Sequence, residues 1–115
     1  MKMNGTSALR ARFSQLVLLA LIAGCGAQGD SAPRIHQIAI QGFVYAPASL
    51  EVAVGDTVVW TNRDVVPHTV TSESGAFDSG SMAAGATWRY VAVEPGSFPY
   101  ICGFHPTMKG MLVVR

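Results

Sequence analysis

The chain has 115 residues, half of them hydrophobic, with eight Lys and Arg against seven Asp and Glu, a formal net charge of +1. That length allows one domain at most, and the absence of any basic cluster argues against nucleic acid as a partner. Only two cysteines are present, Cys25 and Cys102, so at most one internal disulfide is possible.

In chain order, residues 1–13 carry Lys2, Arg10 and Arg12 and no acid. An apolar run of nine residues follows, Leu16-Val-Leu-Leu-Ala-Leu-Ile-Ala-Gly24. Basic flank, short apolar stretch and small residues describe a secretory signal, and nine residues fall far short of the roughly 20 a bilayer-spanning helix needs. The stretch Leu21-Ile-Ala-Gly-Cys25 resembles the bacterial lipobox. That resemblance implies cleavage before Cys25, lipid attachment to its sulfur, and an exported protein anchored at a membrane surface facing the periplasm or cell exterior. Gly26 after the cysteine leans toward an outer membrane where there are two.

The expected organisation is a signal over 1–24, a lipidated cysteine and flexible tether over 25–34, and a folded domain over 35–115. Without residues 1–24 the chain keeps five basic residues against seven acidic ones, a net charge of about −2. Acylation of Cys25 would also leave Cys102 without a disulfide partner in the chain, a liability in an oxidising compartment unless a metal occupies the sulfur.

From Ile35 onward the texture is one of short alternating runs broken by Gly, Pro and Asn. Ile38, Ile40 and Phe43 alternate first, then Leu50, Val52 and Val54. Val58, Trp60 and Asn62 share one face of the next run, while Val59 and Thr61 point away. Thr87-Trp-Arg-Tyr-Val-Ala-Val93 is rich in β-branched and aromatic residues; Phe98, Tyr100 and Cys102 fall on one parity, and Leu112-Val-Val114 closes the chain. Such strands, with turns at Gly55-Asp56, Ala83-Ala-Gly85 and Pro95-Gly96, predict an all-β Greek-key sandwich or barrel of about seven to eight strands.

Chemistry concentrates in Cys102-Gly-Phe-His-Pro-Thr-Met108. A thiol, an imidazole and a thioether stand three residues apart, just after a strand, and Gly103, Pro106 and Gly110 favour a compact loop that can turn all three toward one centre. Thiolate, imidazole and thioether select copper over calcium or magnesium. His68, preceded by Pro67 at the start of a strand, is placed to give a second imidazole, completing two His and one Cys with a weak axial Met. Met111 rivals Met108 as the thioether, but reads as a core residue of the last strand.

These features lie in a chain that, over residues 38–115, resembles the small cupredoxins of the plastocyanin, pseudoazurin and amicyanin group. The matching stretches are Phe43-Val-Tyr-Ala-Pro47, Val54-Gly-Asp-Thr-Val-Val-Trp-Thr-Asn62, Pro67-His-Thr-Val70, Phe77-Asp-Ser-Gly80, Pro95-Gly96 and Tyr100-Ile-Cys-Gly-Phe-His-Pro-Thr-Met-Lys-Gly110. The two-residue gaps between Cys102, His105 and Met108 resemble the short ligand loop of the amicyanin type. The resemblance implies one copper ion, Cu(I) or Cu(II), held by His68, Cys102 and His105 with Met108 as the long axial ligand. It also implies that the Asn62 side chain ties the two ligand loops together and that the Thr69 backbone N–H donates to the Cys102 sulfur. His105, with Phe104 and Pro106 around it, would be the electron port.

The implied function is one-electron transfer between extracytoplasmic redox proteins by a monomeric, non-enzymatic carrier. A copper chaperone or reservoir using the same ligands is the alternative. With three histidines in all, two of them assigned, too few remain for the further copper of a nitrite reductase or oxidase. His36 is expected to be structural and partly exposed, Trp60, Trp88 and Tyr90 to belong to the sandwich, and Arg63 and Asp64 to be solvated loop charges.

Overall fold

The computed structural model describes residues 31–115, so the signal, the lipidation site and most of the tether lie outside the described residues. Eight strands follow in chain order: β1 (Ile35–Gln41), β2 (Val44–Ala46), β3 (Ser49–Val52), β4 (Thr57–Asn62), β5 (Thr71–Ser72), β6 (Thr87–Val91), β7 (Gly96–Ile101) and β8 (Lys109–Val114). They form two four-stranded sheets, ordered β2-β1-β4-β6 and β3-β8-β7-β5. No helix occurs among the described residues. The fold is an all-β sandwich.

Alternation decides which side chains enter the space between the sheets. In β4, Val58, Trp60 and Asn62 are fully buried, as their shared parity requires. Val59 is buried as well, on the outer face, where the longer side chains of Gln37 and Arg89 stand at the paired positions on either side. In β8, Leu112 and Val114 face the core. Gly110 shares their parity and pairs with Tyr100 of β7. The Tyr100 ring lies over that glycine so closely that a Cβ there would stand 2.1 Å from its Cζ. Trp60 Nε1–H donates to the Tyr100 hydroxyl at 3.3 Å, which joins the two sheets through the core. Phe77, Trp88, Tyr90 and Phe98 extend this aromatic cluster.

Three details depart from the sequence reading. β2 and β5, of three and two residues, are too short to leave a periodic signal. Phe43 is not part of the first strand's alternation: it sits in the β1–β2 turn with φ 59°, next to Gly42 at φ 65°. Two successive positive φ values are those of the tight hairpin turn that suits strand twist, a conformation unusual for a bulky residue. Met111 is not core either. It lies on the face of β8 opposite Leu112 and Val114, partly buried, and lines an outer groove of about 320 Å³ with Pro99, Lys109 and Ser49.

His36 is partly exposed and structural, as expected: its Nε2 lies 2.9 Å from Asp56 Oδ2. The Asp56 carboxylate also accepts the N–H groups of Arg34 and Ala53, pinning the start of β1 to the β3–β4 turn. Those bonds, Arg34's foremost, hold its carboxyl down to about 2.

Topology sets the position of the site. β1 and β4 run parallel, so the 42–43 turn and the 63–70 segment emerge at the same end of the sandwich. β7 and β8 are antiparallel, and the 102–108 loop joins them. Its hydrogen bonds with residue 69 bring it to the same end.

Candidate metal centre

The 102–108 loop is held by its own backbone. His105 N–H donates to the Cys102 carbonyl at 3.2 Å, Met108 N–H to the His105 carbonyl at 2.8 Å, and Cys102 N–H to the Met108 carbonyl at 3.2 Å. Three internal bonds in seven residues leave little freedom, so the side chains of Cys102, His105 and Met108 start from fixed points. Cys102 has no exposed surface and Met108 is 4% exposed, while His105 is partly buried.

His68 is delivered from the other side. It pairs with Met82 through two backbone bonds of 3.1 and 2.8 Å, so their side chains leave on the same face. The His68 ring is fully buried. Its Nδ1 lies 3.6 Å from Cys102 Sγ, and His105 Nδ1 lies 3.7 Å from the same sulfur. The ligand atoms of His68, Cys102 and His105 all fall within 4.8 Å of one another.

Metal bonds of about 2.0 Å to nitrogen and about 2.3 Å to sulfur, opened to trigonal or tetrahedral angles, separate N and S by about 3.5–3.7 Å. The observed separations match that range without rearrangement. Two imidazoles and a thiolate fit a single copper ion, and Met108, which is buried, ends the same loop. On the core parity of β8, Met108 falls with Gly110, Leu112 and Val114; Met111 does not.

What surrounds the donors is as specific. His68 Nε2 is 2.8 Å from Asp64 Oδ2, which turns Nδ1 toward the sulfur and sets the ring's orientation. Asp64 also accepts the N–H groups of Gly42 at 2.7 Å and Phe43 at 3.0 Å, so one carboxylate joins a ligand ring to the β1–β2 turn. The Phe43 N–H above all, with those of Gly42 and His68, holds the Asp64 carboxyl below the usual carboxylate range. Asp64 is therefore not a solvated loop charge: its side chain is 13% exposed. Arg63 is exposed.

The Phe43 ring, carried by that strained turn, stands edge-on to both imidazoles, with centroids 5.2 Å from His68 and 4.9 Å from His105. Neither Asp64 nor Phe43 is marked out by its local sequence. Each acquires its role from contacts more than 20 residues away along the chain.

Asn62, at the end of β4, is fully buried. Its Nδ2 donates to the carbonyls of Val66 at 2.9 Å and Met82 at 3.0 Å, and its Oδ1 accepts from Asp64 N–H at 3.0 Å. These bonds brace the His68 segment on itself and on its Met82 partner. The link between the two ligand segments is made by Thr69. Its N–H points at Cys102 Sγ, 3.4 Å away, and its hydroxyl accepts the Gly103 N–H at 2.7 Å. Asn62 points toward 66 and 82 because those carbonyls flank the end of β4. Thr69 lies directly across from the loop, and its peptide and its side chain both reach it. At the surface, Phe104 and Pro106 are exposed on either side of His105 in the chain, and the exposed Phe43 ring lies against it.

The cupredoxin-like domain family matches residues 14–114. The chain is a cupredoxin. Amicyanin from Paracoccus denitrificans is 35% identical over 76 residues, which is 62% of this chain and 58% of that protein. The chain likewise spans 63% of the amicyanin from Paracoccus versutus, less than two thirds in both cases. Among solved structures, an oxidised amicyanin variant superposes with a TM-score of 0.67 at 31% identity, covering 70% of this chain and 82% of its own. A Cu-containing nitrite reductase from Thermus scotoductus SA-01 superposes with a TM-score of 0.66 at 28% identity, over 70% of this cupredoxin but 22% of the larger chain.

Proposed function

We propose that this cupredoxin is a one-electron carrier with a mononuclear blue copper site, working between redox proteins outside the cytoplasm. His68, Cys102 and His105 would hold the copper, with Met108 as a fourth, weaker donor. The observation that carries the reading is the convergence of two Nδ1 atoms on one buried sulfur, at 3.6 and 3.7 Å. Copper, when bound, supplies the Cu(II)/Cu(I) couple. The chain does the rest. Asp64 and Asn62 fix the His68 ring and its segment, Thr69 braces the Cys102 sulfur, and the loop's own backbone bonds hold His105 and Met108. Ligands fixed this firmly move little between oxidation states, which keeps reorganisation small. Fully buried Cys102 and His68, with Phe43 over both rings, keep water away from the centre.

His105 is the only one of the three with exposed surface, and it lies among exposed Phe43, Phe104 and Pro106. That rim supports an electron port at which an apolar patch of a redox partner docks. The lipobox-like Leu21-Ile-Ala-Gly-Cys25 supports tethering at a membrane surface. A carrier fits better than a catalyst, because the donor set provides four ligands and His36, the remaining histidine, is engaged with Asp56.

Purified protein loaded with Cu(II) is expected to turn intensely blue, with a narrow copper hyperfine splitting. Cys102→Ser should abolish the colour and Met111→Leu should leave it intact. A colourless wild-type protein overturns the reading. Voltammetry separates the carrier from a chaperone: the carrier keeps its copper through repeated reversible cycles, whereas loss of the ion on reduction marks delivery of the metal.

A further inference from the structure

A chain of polar contacts leads from Thr69, which holds the cysteine loop, away from the centre to the surface. Gly103 N–H donates to Thr69 Oγ1 at 2.7 Å. Thr69 Oγ1 lies 2.9 Å from Thr71 Oγ1, and Thr71 Oγ1 lies 3.1 Å from Asp78 Oδ1. A carboxylate can only accept, so Thr71 donates to Asp78. A hydroxyl has one proton, so Thr69 must be the donor to Thr71. Every dipole in the series then points the same way, from the Gly103 peptide toward the Asp78 carboxylate. Aligned hydrogen bonds polarise one another.

The inner end is well placed to affect the metal site. The Cys102–Gly103 peptide is gripped on both edges, its N–H by Thr69 and its carbonyl by the N–H of His105 at 3.2 Å. Thr69, which receives the Gly103 N–H, also directs its own N–H at the Cys102 sulfur. Thr69 is buried and Thr71 partly so, which limits screening along the way; Asp78 is exposed and also accepts the Gly80 N–H at 2.9 Å.

We propose that Thr69, Thr71 and Asp78 form a hydrogen-bond relay that transmits the Asp78 charge to the peptide beside the cysteine ligand and lowers the reduction potential of the site. The proposal rests on the copper reading above. Thr71 and Asp78 are positioning residues: neither touches the metal, and both act through Thr69. Negative charge delivered beside the sulfur favours Cu(II) over Cu(I). A redox partner or salt that neutralises Asp78 would therefore make the protein a stronger oxidant.

Five variants of the full chain test the relay: Asp78→Asn, Thr71→Val, their double variant, Thr71→Ser and the surface control Glu73→Gln. Asp78→Asn keeps an acceptor oxygen and removes only the charge. It should favour Cu(I) by about threefold, an upward shift of about 28 mV at about 59 mV per tenfold for one electron. Glu73→Gln, an equal charge change outside the relay, should shift the potential by much less. Thr71→Val should raise the potential on its own and abolish the further effect of Asp78→Asn, and Thr71→Ser should restore the wild-type value.

A second readout needs no metal. In the 1H–15N spectrum of the metal-free protein, the Gly103 amide should move upfield in Asp78→Asn and Thr71→Val and return in Thr71→Ser. A wild-type protein that fails to bind blue copper would end the functional reading while this measurement still judged the relay. Equal shifts for Asp78→Asn and Glu73→Gln, an Asp78→Asn effect that persists in the Thr71→Val background, or a stationary Gly103 resonance would each overturn the proposal.

Discussion

Replacing Gly110 by alanine should destabilise this protein far more than the size of a methyl group suggests. The new Cβ would stand 2.1 Å from Tyr100 Cζ and 2.4 Å from its Cε2 and hydroxyl, where ordinary contact begins at 3.4 Å. The ring must therefore retreat by about 1.3 Å, the difference between those distances. Tyr100 is buried, packed edge-on against Tyr45 and Trp60, and accepts the Trp60 indole N–H, so it has nowhere to go without disturbing both sheets. Overpacking of this kind costs about 1–3 kcal/mol. Losing the indole bond adds about 1 kcal/mol. The restricted unfolded chain returns about 0.4–1 kcal/mol. The net loss is about 1–3.5 kcal/mol, equivalent to a fall in Tm of about 4–28 °C for a domain of this size.

Thermal and urea unfolding of metal-free protein, followed by near-ultraviolet circular dichroism, measures the loss free of any contribution from copper. A Tyr100→Leu partner variant identifies the cause: with the ring removed, Gly110→Ala should cost much less than it does alone. A Gly110→Ala protein melting within about 2 °C of wild type, or strict additivity with Tyr100→Leu, would refute the reasoning.

Acid stability should carry the signature of Asp56. Its carboxyl is held down to about 2 by the Arg34 and Ala53 N–H groups and His36, so it stabilises the fold above its ordinary value near 4 and loses that contribution as pH falls toward 2. Unfolding free energy measured from pH 5 to pH 2 should drop more steeply in wild type than in Asp56→Asn; parallel curves would count against this. Asp64→Ala should free the buried His68 ring, broadening the copper spectrum and weakening metal affinity by about 10–100-fold, as read by competition with a chelator. Phe43→Gly relieves a left-handed backbone position that costs a non-glycine residue about 1–2 kcal/mol. That relief is offset by the freedom glycine gives the unfolded chain and by the lost ring contacts, so melting should change little, while loss of the ring beside His68 and His105 should raise the rate of copper release.

Much of this was legible in the chain because β-structure writes its faces into alternate residues. Val58, Trp60 and Asn62 announced an inward face, as did Phe98, Tyr100 and Cys102, and all but partly buried Phe98 are buried. The donors were legible for a different reason: three of them fall within seven residues, where spacing alone limits the geometry. The same parity rule, applied from Leu112 and Val114, already places Met111 on the outer face of β8 rather than in the core.

Asp64, Phe43 and the Thr69 hydroxyl were of another kind. Asp64 meets Gly42 from 22 positions away, and Thr69 meets Gly103 from 34. Such contacts exist only once parallel β1 and β4 deliver their loops to one end of the sandwich. A short polar residue in a loop looks the same whether it faces solvent or holds an imidazole.

The complete burial of Cys102 matters before any metal arrives. Disulfide exchange requires a sulfur to be approached along its axis by another sulfur carrying its own chain. A thiol with no exposed surface, behind Thr69 and between two imidazoles, denies that approach to glutathione, to an oxidoreductase and to a second copy of this protein. A bare ion is a far smaller visitor, and His105 offers it a partly exposed first foothold. The fold thus acts as a size filter on its own nucleophile, admitting an ion while keeping larger sulfur partners away.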